Sequence, residues 1–131
     1  MAVLVVNAGH KIITGRMIGG ASPAQVEPTF MGWGTGAGTT AATDTTLFTE
    51  ATYGGYARVS AATSQQTTSV TSDTYQLVAT LTNSSGGGLT FTNAGTFDAA
   101  TVGNLFVKGD FTGVPLNNGD SIAFTFKVQF S

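Results

Sequence analysis

Near the C-terminus, large apolar residues stand at every second position: Ile122, Phe124, Phe126, Val128 and Phe130. Ser121, Ala123, Thr125, Lys127 and Gln129 fill the places between them. A period of two puts alternate side chains on opposite faces of a strand. A slip of one residue would turn the whole apolar row into water, so the register of this strand is tightly specified. A chain that carries such a strand must cover its apolar face with a second layer.

The pattern recurs upstream. In residues 74–83, Tyr75, Leu77, Ala79 and Leu81 share one face, and Gln76, Thr80 and Thr82 the other. A turn follows at 84–88, Ser-Ser-Gly-Gly-Gly, and Leu89 and Phe91 then alternate with Thr90 and Thr92. The two segments read as a hairpin. Residues 104–113 read as a strand with Leu105, Val107 and Phe111 inward. Asn117-Asn118-Gly119-Asp120 reads as a hairpin turn into the last strand, since Asn-Gly supplies positive φ at low cost. Asp110 is then expected in a strand paired with the C-terminal one. Weaker strand signals lie at 2–6, 29–33 and 54–63, and 65–70 reads as an exposed strand or a loop. Phe97 is expected to plug the core and Asp98 to start a turn. Short strands with Gly/Asn turns at regular spacing point to an all-β fold, an antiparallel β-sandwich or small barrel.

The 131 residues suit one compact domain that buries roughly two thirds of the surface of its unfolded chain. That domain is placed at 21–131, with residues 1–20 as an N-terminal arm or short helix. In the helical reading of 7–20, Asn7 caps the start, Ile12, Ile13 and Met17 share a face, and Gly19-Gly20 stops it. Gly15 and β-branched Thr14 weaken that helix, which leaves an extended arm as the competitor. Pro23 and Pro28 make 21–28 a loop.

Residues 32–50 are filled with glycine and small hydroxyl residues and read as a long Gly/Thr-rich ordered loop. Its run of Gly32, Gly34, Gly36 and Gly38 suggests a phosphate loop, but no Walker lysine follows and no clear helix begins there. Small residues needed for close backbone approach are the better account. Phe30, Trp33, Phe48, Tyr53 and Tyr56 cluster around this loop, as protein-contact anchors or as plain core.

Charged residues make up only 9% of the chain, against about 25% in an average domain. Solubility then rests on hydroxyls, amides and backbone, as in β-rich proteins that work packed against other proteins. Lys11, Arg16, Arg58, Lys108 and Lys127 are scattered singly, with no basic stripe, so no nucleic-acid partner is expected. The absence of cysteine excludes disulfides, thiolate metal sites and cysteine nucleophiles. The apolar run at 1–6 breaks at Asn7, too soon for a signal core or a membrane span, so synthesis in the cytoplasm and no membrane partner are expected. His10 is the sole histidine and lacks the partners of a zinc site or triad. Asp98, Asp110 and Asp120 could pair as glycosidase carboxylates, but Asp98 and Asp120 sit in turn contexts. Asp44 and Asp73 lack the clustered acids of a calcium loop. Asn83-Ser84-Ser85 fits a glycosylation sequon, with no signal peptide to support it. The expectation is no enzyme, no cofactor and no metal.

The order of Gly34-Thr35-Gly36, the 44–50 segment, Thr68–Tyr75, Asn93–Ala99 and Gly119-Asp120-Ser121 resembles small structural proteins of tailed bacteriophages. These include capsid decoration (cement) proteins and tail-fibre-like proteins. The resemblance runs from about Thr29 to the C-terminus. It implies a β-sandwich, in some members jelly-roll-like, that works on the virion as an oligomer, a trimer being common. The leading expectation is a decoration protein made in the host cytoplasm. It would bind the major capsid protein on the outer capsid surface as a homotrimer. The alternative is a tail-fibre or receptor-binding module. Expected protein-contact residues are Ile12, Ile13 and Met17 in the lead-in, and Phe30, Trp33, Gly34 and Gly36 at the loop.

Overall fold

A computed structural model describes residues 3–19, 26–52 and 57–130. Tyr53, Tyr56 and the 21–25 part of the expected loop lie outside the described residues. Strands β1 (Val3–Val5), β2 (Phe30–Gly34), β3 (Val59–Ser60), β4 (Ala62–Gln66), β5 (Thr74–Thr82), β6 (Leu89–Phe97), β7 (Leu105–Leu116) and β8 (Ser121–Gln129) accompany one helix, α1 (Asn7–Ile18). They form two antiparallel sheets, β1-β7-β6-β2-β3 and β4-β5-β8, packed as a sandwich.

The alternating strands behave as their patterns require. β8 pairs with β5 from Ser121↔Thr82 to Gln129↔Thr74. Leu77, Ala79, Leu81, Phe126 and Val128 turn into the core between the sheets. From the other side come Met31, Trp33, Phe91, Ala94, Phe106 and Val107. Trp33 is fully buried, stacked on Phe91 at 3.6 Å between ring centroids and edge-on to Phe124 at 6.3 Å. Such pairs add about 0.5–1.5 kcal/mol to the area that they bury.

The two expected hairpins do not form. β5 and β6 lie in different sheets, and so do β7 and β8. Asp110 accordingly pairs with Asn93 of β6 and not with the C-terminal strand. Turn residues reverse the chain but do not choose the layer in which it continues. Loops 83–88 and 117–120 are long enough to cross the spacing of about 10 Å between packed sheets. They then lock each other. Asn83, fully buried, donates to Gly87 O (2.9 Å) and Leu116 O (3.0 Å), and Gly119 N–H donates to Asn83 O (2.6 Å). The Asn83 amide is thereby occupied and inaccessible, which removes the glycosylation reading. The run expected as one strand at 54–63 also divides, β3 joining one sheet and β4 the other.

The N-terminal segment is built into the sandwich. Val3–Val5 is an edge strand on β7, and Ile12 is buried in the main core. Gly9 lets α1 lie against β7, because a Cβ there would collide with the Phe106 carbonyl. Asn7 does not cap the helix. Val6 holds the N-cap position without a side-chain bond, and the Asn7 N–H donates to Ala42 O at 2.8 Å. The stop is as expected: Gly19 takes φ 65° and its N–H closes on Arg16 O.

Candidate functional site

Two regions gather the residues singled out by sequence. The first is the outer face of the five-stranded sheet. β2 continues through Gly34, so the start of the expected loop at 32–34 is strand, and the remainder folds back as a strap over that sheet. Gly32, Gly34, Gly36 and Gly38 recur with the strand period and leave one face bare. A Cβ at Gly34 would meet the Phe48 and Thr49 carbonyls, and one at Gly38 would meet the Phe48 ring. A strand was expected at 29–33, and the period-two glycine row was the available signal that it runs on through Gly34.

Polar pins hold the strap down. Asn93, fully buried, accepts from Phe48 N–H and donates to Phe48 O, both at 3.0 Å. Gly36 N–H also donates to Phe48 O (3.0 Å), and Thr35 N–H donates to Thr49 O (3.1 Å). Thr92 Oγ1 donates to Gly36 O. Leu47 packs into a satellite core with Val6, Phe97 and Leu105. Lys108 is 0% exposed; its Nζ lies 2.8 Å from Asp44 Oδ2, 2.9 Å from Thr46 O and 3.2 Å from the Phe48 ring centroid. That bond to Lys108 holds the Asp44 carboxyl below the usual carboxylate range, against burial and the Asp110 charge, which push it up. Arg58 makes a bidentate pair with Glu50 (2.7 and 2.9 Å), donates to Ala99 O and Val102 O, and covers the Phe97 ring at 3.3 Å. Sequence reading gave neither basic residue a role, because their partners lie 64 and 8 residues away in the chain.

The second region is the end of α1. Ile12 is buried and Ile13 half-buried, whereas Met17 is 80% exposed and Ile18 79%. An open apolar groove lies beside them, lined by Ile13, Met17, Pro28, Tyr75 and Phe130. Phe130 is 49% and Val26 52% exposed. Burial, and secondly the Glu27 charge, raise the Tyr75 phenol above its usual range. Of the expected contact residues, Met17 and Ile13 therefore present surface here. Trp33 and Gly34 are enclosed, Gly36 lies half-buried within the strap, and Phe30 packs half-buried against the satellite core.

The carboxylates are taken up by local structure. Asp98 accepts from Asn104 N–H (2.6 Å) and Nδ2 (2.8 Å), Asp120 from Asn117 N–H (2.9 Å), and Asp110 from Thr40 N–H (2.8 Å). Asp73 accepts from Val70, Thr68 and Ser69 N–H groups, which hold it well below the usual carboxylate range. His10 is exposed on α1. Among the described residues no group of three or more His, Asp or Glu is placed to hold a metal ion.

The family model described as podophage GP4 fiber I protein gp80 matches residues 7–128. No curated protein and no solved structure matches the chain.

Proposed function

The chain belongs to the podophage GP4 fiber I protein gp80 family, and from that premise we propose that it is a structural module of a phage tail fibre. The observation that carries this reading is the match itself, which runs from the first residue of α1 nearly to the end of β8. It favours a fibre over the capsid decoration role. The module works as a closed homo-oligomer, a trimer, bearing on its neighbours through the apolar end of α1 and Phe130. Two features support that assembly. Large side chains stand bare at Met17, Ile18, Val26 and Phe130. The chain also has little charge with which to repel a copy of itself.

The test is the location and copy number of the protein in purified virions. Labelled antibody at the tail, with copies that scale with the fibres, supports the fibre reading. Copies that scale with the capsid subunits, spread over the shell, would replace it with the decoration reading and the major capsid protein as partner. Sedimentation that gives a monomer both free and within the fibre would remove the trimer.

A further inference from the structure

We propose that Lys108 and Asp44 become joined by an amide bond that the folded chain forms on its own, riveting the 35–50 strap to β7. The inference does not depend on the fibre reading. It rests on what surrounds the Lys108 ammonium.

Lys108 is fully buried, and its Nζ sits 2.8 Å from Asp44 Oδ2. Hydrogen-bond geometry then puts the carboxyl carbon about 3.1–4 Å from the nitrogen, a range whose short end is a near-attack arrangement. The Phe48 ring closes over the ammonium at 3.2 Å and helps to keep water from it. Ala41 N–H donates to the same Oδ2 at 3.1 Å and fixes the carboxyl group beside the nitrogen. A second carboxylate is at hand. Asp110 is two residues beyond Lys108 on β7, hence on the same face, and is anchored by Thr40 N–H at 2.8 Å. Its charge is felt at Asp44. The site thus brings together an amine, a carboxyl group and a carboxylate able to carry a proton.

The resting state is the ion pair. The bond to Lys108 favours the ionised carboxylate, so a proton passes only rarely from the Lys108 ammonium to Asp44, and the minor state that reacts is a neutral amine facing a neutral acid. The amine lone pair attacks Asp44 Cγ, and an N–C bond forms. Asp110 takes a proton from that nitrogen and returns it to the departing hydroxyl. The C–O bond breaks and water leaves. Ammonium plus carboxylate become amide plus water, with no oxidant, metal or co-reactant.

Mass spectrometry of the full-length folded protein, sprayed from denaturant and corrected for N-terminal processing, tests this directly. The expected mass is short of the sequence mass by one water. Proteolysis should release a branched peptide that joins the Asp44 and Lys108 segments. Lys108→Arg and Asp44→Ala should each return the full mass. Asp110→Asn should slow the water loss at least tenfold while the chain still folds. A full sequence mass after prolonged incubation of the folded wild-type protein would overturn the proposal, and so would a water loss mapped elsewhere. That measurement needs no variant to fold. An unchanged rate in Asp110→Asn would remove Asp110 from the mechanism.

Discussion

The two faces of the five-stranded sheet are covered by opposite means. On the inner face, Met31, Trp33, Phe91 and Phe106 meet the smaller sheet in a continuous apolar core. On the outer face, the same strands present Gly32, Gly34, Gly95, Asn93 and Lys108, and the strap lies close against them. Apolar contact is non-directional and tolerates adjustment. A strap laid on glycine depends on hydrogen bonds and ion pairs of fixed geometry, and a buried polar group without its partner is costly. The inner face therefore supplies most of the stability, and the outer face supplies position.

Three changes break or sharpen that contrast. Trp33→Ala removes the largest inner side chain and should cost about 3–5 kcal/mol in denaturant unfolding. A loss no larger than that of the outer-face variants would refute the division. Arg58→Ala strips Glu50 of its bidentate partner and frees the Ala99 and Val102 carbonyls, for about 2–3 kcal/mol. Hydrogen exchange should then quicken first around residues 50–52 and 98–103, with β5 and β8 unchanged. Gly34→Ala puts a methyl group against the Phe48 and Thr49 carbonyls and should cost about 1–3 kcal/mol. Its signature is faster exchange of the Gly36 and Ala51 amides, whereas a silent substitution would mean that the strap stands clear of the sheet.

The smallest effect belongs to neither face and serves as a control. Asp73 caps the 67–73 turn beside the smaller sheet, and its folded-state pKa is depressed. Its stabilisation is complete above the unfolded value of about 3.9 and is lost as pH falls through the folded value. Acid should loosen the Thr68–Val70 amides in exchange experiments while β5 and β8 stay protected, and Asp73→Asn should remove that acid step.

Much of the fold was legible because it is local. The period-two rows in β5 and β8 define which side chains turn inward, whatever lies opposite. Gly19 ends the helix because a left-handed residue is needed at that spot. Met17 was legible as an exposed apolar residue, since an apolar side chain late in a short helix has little core to reach. Trp33 was not, because sequence neighbours do not tell an anchor from a core residue.

Strand partnership required the tertiary structure. Asn117–Asp120 specifies a reversal, but β7 already has β6 and β1 beside it, so β8 continues in the other sheet, next to β5. The meeting of Lys108 with Asp44 was equally invisible. It arises only when a glycine row on one strand lets a loop descend on the sheet and bring a distant carboxylate to a lysine that the fold has closed off from water. Periodicity is carried by neighbours in the chain and can be read along it. Packing partners are chosen by the layer that most fully buries each apolar face, and that choice exists only once the layers have come together.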